Sequence, residues 1–284
     1  MKQHTIGIIG TGTMGCGIAQ IAAQVGYEVV FQNRRQESVD RGLAQIKKSL
    51  ARLSSKGKIT ESEGTETLER IRGVVPLEEL KGCERVIECA PEACDLKREL
   101  LEKLDGIVSE EAIIATNTSS LSVTKLASFL SRPGHFVGMH FFNPVPAMKL
   151  VEIVRGMRTN DSTVAAVRGL AEQLGKVPIE VSDAPGFVVN RVLFPMINEA
   201  AFALQEGVAD ADGIDECMKL GCNHPLGPLA LADLVGLDVV HAILESLYRE
   251  YGEQRYAPCL AIKKRVEAGF LGRKSGRGFY SYEK

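Results

Sequence analysis

The chain has 284 residues, more than one minimal core holds and about right for two modules. Hydrophobic residues make up 45% and charged residues 25%, ordinary globular usage that excludes an intrinsically disordered chain. A formal net charge of -2, with no dense lysine or arginine block, excludes a global basic field for nucleic acid, so an anionic ligand has to be gripped locally.

The opening segment, MKQHTIGIIGTGTMG, turns glycine-rich after a short apolar run, unlike the basic, apolar, small-residue order of a signal peptide. No apolar run approaches the ~20 residues that span a bilayer, so a cytoplasmic protein without a membrane partner is expected. Seven cysteines, an odd number in a large chain, fit reduced thiols better than a disulfide framework. Cys217, Cys222 and His224 lie close together, but C-x4-C-x-H lacks a second ligand pair, and no metal site is expected.

Residues 5–10 (TIGIIG) read as a strand, followed by a glycine-rich turn and a helix over 13–24. Gly26 stands where a glycine is expected just past a helix, and a second strand over 28–33 (EVVFQN) completes a β-α-β unit. Helical spacing of Val39, Leu43, Ile46, Leu50 and Leu53 over 38–53, then a helix over 60–71, predict a helical excursion. Strand-like runs at 85–88, 112–116, 136–139, 150–154 and 177–181 alternate with helical patterns at 95–108, 122–130 and 163–174. That alternation predicts an α/β, Rossmann-type, mostly parallel sheet covered on both faces. After Asp183 the strand signal stops, and from Asn190 onward helices are punctuated by Pro225, Gly227, Pro228 and Gly236. The expected division is a dinucleotide-binding domain over 1–184 and an all-α C-terminal domain over 185–284.

Gly10-Thr11-Gly12-Thr13-Met14-Gly15 matches G-x-G-x-x-G between a predicted strand and a predicted helix, the context that motif needs. Gly10 makes the tight turn, Gly12 admits the pyrophosphate to the backbone, Gly15 lets helix and strand pack closely, and the helix N-terminus attracts negative charge. At the end of the second strand an acidic residue would accept the ribose hydroxyls of NAD, but the sequence has Asn33-Arg34-Arg35. Asparagine removes a charge that would repel a 2'-phosphate, and two guanidiniums can pair with one, which favours NADP(H) and leaves NAD(H) possible. The alternative is that both arginines are solvated at the start of a helix. Cys16, just after the third glycine, is given no redox role.

Asn117-Thr118-Ser119-Ser120 follows one apolar strand, and Gly138 to Pro144 (GMHFFNP) follows the next. Ligands collect at the carboxyl ends of strands in an open α/β sheet, so Ser119 and His140 can meet the nicotinamide end of a cofactor bound at the glycine turn. Oxidation of a hydroxyl needs a group to take the O–H proton as hydride leaves carbon, and His140 is the candidate base. Glu152, after the NPVPAMK turn, is placed to fold back and orient its ring.

The blocks NTSSL, GMHFFNPVPAMKLVEIV, DAPGFVVNRV, GPLALADLVGLD and GRKSGRGFY together resemble the L-3-hydroxyacyl-CoA dehydrogenase family, nearly end to end, with the short bacterial 3-hydroxybutyryl-CoA dehydrogenases most alike. The resemblance implies hydride exchange between nicotinamide and a short-chain (S)-3-hydroxyacyl-CoA or its 3-ketoacyl-CoA. It implies His140 as acid/base, Glu152 as its paired carboxylate, Ser119 as a donor to the substrate oxygen and Asn190 as a further substrate-orienting group. It also implies Glu92, Lys97, Asn143 and Lys274 in the cofactor environment, and Ser49 and Lys56 as contacts to the coenzyme A thioester, with Arg52 on a similar face. The C-terminal helices are expected to build a core and the interface of a homodimer. Asn33 departs from the pattern, since many relatives carry aspartate there and use NAD. A dehydrogenase of a free 3-hydroxy acid or sugar acid is the competing enzyme reading, and a non-catalytic nicotinamide-binding protein is the reading from another class.

Overall fold

The computed structural model describes residues 4–282. Its first elements are β1 (Thr5–Ile9), α1 (Thr13–Gln24), β2 (Glu28–Gln32), α2 (Gln36–Ser55), α3 (Glu61–Glu69) and β3 (Ile71–Val74). They are followed by β4 (Arg85–Glu88), α4 (Cys94–Asp105), β5 (Ile113–Thr116), α5 (Val123–Ala127), β6 (Phe136–Phe141), β7 (Leu150–Arg155), α6 (Asp161–Gln173) and β8 (Val177–Ser182). The strands form one sheet in the order β3-β2-β1-β4-β5-β6-β7-β8. Pairing is parallel except between β6 and β7, which are antiparallel. Helices cover both faces, so central strands such as β6 are buried along their whole length and read in the sequence as continuous apolar runs. This is the mostly parallel, doubly wound sheet expected, and its order reverses between β1 and β4, where the crevice at the carboxyl ends opens.

Local sequence explains most element ends. Gly26 at φ +98 receives the chain as α1 finishes, with its N–H and that of Tyr27 donating back to Ala23 and Ala22. Thr60 and Glu63 form a reciprocal capping box that starts α3. The helix predicted over 60–71 stops at Glu69, because Ile71 to Val74 pair with β2 as a strand. That strand, IRGV, is too short and too polar for a period-two signal, and its Gly73 is demanded by α2, since a Cβ there would lie 2.4 Å from Val39 Cγ1. The helix predicted over 122–130 is only one and a half turns, capped by Ser122.

The chain divides into two compact units between Ala184 and Pro185. The second unit is helical: α7 (Val189–Gln205), α8 (Ala211–Cys222), α9 (Pro228–Val235), α10 (Leu237–Tyr251) and α11 (Leu260–Glu267). Its core gathers Phe194, Ile197, Leu229, Val240 and Leu244. Fully buried Asp233 in α9 accepts the N–H groups of Phe279 and Tyr280 and the Tyr282 hydroxyl, which fastens the terminal GRGFYSY segment to this core. Among the described residues no helix is long and apolar enough to cross a membrane.

Candidate active site

The glycine turn between β1 and α1 is held by close backbone contacts. Gly10 has φ +95, which a side chain resists, and its ideal Cβ would fall 2.5 Å from Cys89 O. A Cβ on Gly15 would sit 1.8 Å from Gly10 O, so helix and turn are in backbone contact. A Cβ on Gly12 meets nothing within 4 Å, and Gly12 is the N-cap of α1 with no side chain capping it. The open side of the turn is therefore at Gly12, beside the positive end of a twelve-residue helix, and these residues fit a pyrophosphate. Thr13 and Met14 form the first turn of that helix. Cys16 is buried, its Sγ donates to Thr11 O at 3.3 Å, and burial pushes the thiol up to about 11, so it is not a reactive group.

The end of β2 faces the same crevice. Asn33 Nδ2 donates to Thr11 Oγ1 at 3.0 Å, and Thr11 Oγ1 donates to Ser38 O at 2.7 Å, which ties the glycine turn to the start of α2. Gly10, Asn33 and Arg34 line a cavity of about 330 Å³ whose apolar wall includes Val75, Leu77 and Leu96. Arg34 and Arg35 are exposed, Arg35 at the N-cap of α2.

At the carboxyl end of β4, Glu88 is fully buried. It accepts from Lys97 Nζ at 2.7 and 2.8 Å, Thr116 Oγ1 at 2.7 Å and Ala90 N at 2.5 Å. Lys97 is 1% exposed and also donates to Ala90 O. Lys97 is thus enclosed, with Glu92 Oε2 at 3.7 Å as the outer, partly exposed member of the cluster. Glu92 Oε1 in turn accepts from the Thr118 hydroxyl at 2.5 Å and from the Ser119 and Ser120 N–H groups at 2.9 Å each. Burial raises the Glu92 carboxyl, but the Thr118 hydroxyl, Lys97 and the two N–H groups outweigh it and hold Glu92 below the usual carboxylate range. Ser119 is not a helix cap, since Ser122 caps α5.

Antiparallel pairing puts His140 of β6 directly opposite Glu152 of β7. Their side chains meet at His140 Nδ1 to Glu152 Oε2, 2.7 Å, with exposures of 7% and 1%. A carboxylate only accepts, so the hydrogen lies on Nδ1 and Nε2 is the basic nitrogen. Phe142 packs beside the ring at 4.6 Å between centroids, and Asn117 Oδ1 accepts the Phe141 N–H at 2.9 Å, binding the end of β5 to the strand that carries the histidine. Asn143 is exposed in the loop that follows, at a cis Asn143–Pro144 peptide.

The remaining predicted positions lie elsewhere in the chain. Ser49 is half-buried in α2 and Lys56 is exposed at its C-cap, with Arg52 exposed one turn earlier. Asn190 and Lys274 belong to the second unit, where Asn190 is buried in the first turn of α7 and Lys274 pairs with Asp238 at 2.5 Å. Glu88 escaped the sequence reading, although a lone acid closing the apolar run RVIE of a buried strand was its signal. Among the described residues no three metal-ligating side chains converge.

Residues 5–184 match the family described as 3-hydroxyacyl-CoA dehydrogenase, NAD binding domain, and residues 186–282 match its C-terminal domain. A probable 3-hydroxybutyryl-CoA dehydrogenase of Deinococcus radiodurans is 50% identical over 276 residues, 97% of this chain and 99% of that one. A 3-hydroxybutyryl-CoA dehydrogenase of Clostridioides difficile is 47% identical over 279 residues, 98% of this chain and 99% of its own. The crystal structure of (S)-3-hydroxybutyryl-CoA dehydrogenase from Ralstonia eutropha superimposes with a TM-score of 0.96 at 53% identity, covering 100% of both chains.

Proposed function

We propose, from the premise that this chain belongs to the nicotinamide-dependent 3-hydroxyacyl-CoA dehydrogenase family, that it interconverts (S)-3-hydroxybutyryl-CoA and acetoacetyl-CoA, with NADP(H) preferred to NAD(H). The observation that carries the reading is the buried His140–Glu152 pair at the carboxyl end of a sheet whose first turn is glycine-rich and open at Gly12. The cofactor, when bound, takes up or returns the hydride of the substrate carbon. The chain's own side chains handle the proton and the charge.

In the oxidising direction His140 Nε2 accepts the hydroxyl proton while Glu152 stabilises the imidazolium and keeps the ring from turning. In reduction the protonated ring donates to the developing alkoxide and Ser119 donates a hydrogen bond to that oxygen, while Asn190 has the part of a substrate-orienting residue. Glu92 serves this site by holding the Ser119 turn, with Lys97 and Glu88 behind it. The cofactor is held by the 10–15 turn, Asn33, Arg34, Arg35, Glu92, Asn143 and Lys274, and the coenzyme A thioester by Ser49 and Lys56. Residues 185–284 complete substrate binding and dimerisation in a cytoplasmic homodimer.

The NADP(H) half of the reading rests on a neutral Asn33 already donating to Thr11 and on exposed guanidiniums beside the cavity it lines. The test is kcat/KM for NADPH and NADH with acetoacetyl-CoA in the wild type and in a variant carrying Arg34→Ala and Arg35→Ala. Loss of charge-assisted bonds to a 2'-phosphate predicts a roughly 10- to 100-fold fall for NADPH and little change for NADH. A wild type that prefers NADH, or a variant that affects both alike, removes the NADP(H) preference and leaves the dehydrogenase reading in place.

A further inference from the structure

The loop over 142–149 joins β6 to β7, and so joins the strand of His140 to the strand of Glu152, with Asn143 at its near end. A buried lysine that the chemistry above does not use lies beneath it. Lys176, between α6 and β8, is 8% exposed, and its Nζ donates to the carbonyl oxygens of Val145 at 2.5 Å and Met148 at 2.8 Å. Both partners are backbone dipoles three residues apart in that one loop, and desolvation pushes the lysine below its usual pKa.

The same loop has a second anchor. Val145 is 2% exposed, and a Cβ added at Gly17 of α1 would lie 2.7 Å from Val145 Cβ, so the valine sits in the notch that this glycine leaves on the dinucleotide helix. Within the loop, the Ala147 and Met148 N–H groups both donate to Pro144 O, at 2.9 and 3.0 Å. Val145 alone fixes one point; a forked donor to the carbonyls on either side of the turn fixes its curvature as well. An apolar residue at 176 would leave the buried Val145 carbonyl and the partly buried Met148 carbonyl without this donor, and the loop would have to shift to hydrate the first.

We propose that Lys176 is a positioning residue for the reaction: its ammonium holds the 142–149 loop in the shape that keeps Asn143 at the cofactor. The part played by Asn143 rests on the functional reading above, whereas the hold on the loop does not.

The test uses the full chain with Lys176→Met, Lys176→Gln and Lys176→Arg, each first checked for cooperative melting. Dissociation constants for NADPH are taken from its fluorescence, and backbone hydrogen exchange is followed over 142–149. In the Met variant the NADPH dissociation constant rises about ten-fold, the scale of one lost charge-assisted bond, and exchange accelerates in the loop but not in β1. The KM for acetoacetyl-CoA moves less than about three-fold, and Arg, which keeps the donors, restores cofactor affinity to within about three-fold of the wild type. If Met does not fold, Gln carries the same comparison with Arg. A folded variant with wild-type affinity and wild-type loop exchange overturns the proposal. So does an Arg variant no better than Met or Gln, or failure of all three to fold, which would make Lys176 a stability residue only. Absence of turnover in the wild type would defeat the functional reading, whereas unchanged loop exchange would defeat this one.

Discussion

Alanine at Gly15 and alanine at Gly12 are expected to damage the protein in different ways. At Gly15 the added carbon lies 1.8 Å from a backbone oxygen, Gly10 O, whereas ordinary contact begins at 3.4 Å. No side chain can swing aside, so either α1 lifts from the turn or the turn unwinds, a cost of about 3 kcal/mol or more. For a unit of this size that lowers the melting temperature by roughly 6 to 12 °C. At Gly12 the carbon enters open space at an ordinary φ of -80, and alanine in place of glycine at an N-cap costs about 1 kcal/mol, roughly 2 to 4 °C. Yet that open space is where a pyrophosphate approaches, so Gly12→Ala should raise the NADPH dissociation constant at least about ten-fold in a protein that still melts nearly as the wild type does. Scanning calorimetry without ligand and fluorescence titration with NADPH separate the two quantities. Wild-type NADPH affinity in Gly12→Ala would refute the assignment of the turn, and equal melting temperatures for both variants would refute the packing argument.

His140→Ala should abolish turnover while the NADPH dissociation constant stays within about three-fold of the wild type, as stopped-flow and titration would show; Glu152→Gln, which keeps the shape but loses the charge opposite the ring, should lower kcat by roughly 10- to 100-fold. Glu92 has a folded pKa held below its unfolded value, so it contributes stability that is fully present above the unfolded value and is lost as pH falls through the folded one. The stability difference between wild type and Glu92→Gln, measured by urea unfolding, should therefore be constant near neutrality and shrink at pH below about 4. Asp233→Ala leaves the Phe279 and Tyr280 N–H groups and the Tyr282 hydroxyl without their acceptor, costing about 3 to 5 kcal/mol and opening the C-terminal segment to proteolysis, readable by mass spectrometry of the fragments.

The parts legible in the sequence are those where one local rule decides. The glycine turn, the strand–helix alternation and Gly26 after α1 follow from backbone geometry, and the reach of Glu152 back to His140 follows from a short turn between two strands. Strand β3 was hidden because its identity comes from pairing with β2 rather than from its own four residues. The resemblance put Lys97 in the cofactor environment, but its burial against Glu88 was not legible, because that contact needs the end of β4 and the first turn of α4 folded together. Lys176 reads as a turn lysine until β7 and β8 are set side by side and the 142–149 loop closes over it. The C-terminal helices were legible as a core, but the bonds that join Asp233 to Phe279 and Tyr280 span more than forty residues and leave no local pattern.

The most direct measurement compares NADPH oxidation by the purified full chain with acetoacetyl-CoA and with free acetoacetate, each repeated with His140→Ala. A thioester-specific dehydrogenase driven by His140 predicts kcat/KM at least about a hundred-fold higher for the thioester, since remote binding of the coenzyme A moiety is needed to align the ketone, and loss of that turnover in the variant. Equal use of the free acid, absence of thioester turnover with either NADPH or NADH, or a variant that keeps the wild-type rate would contradict the account.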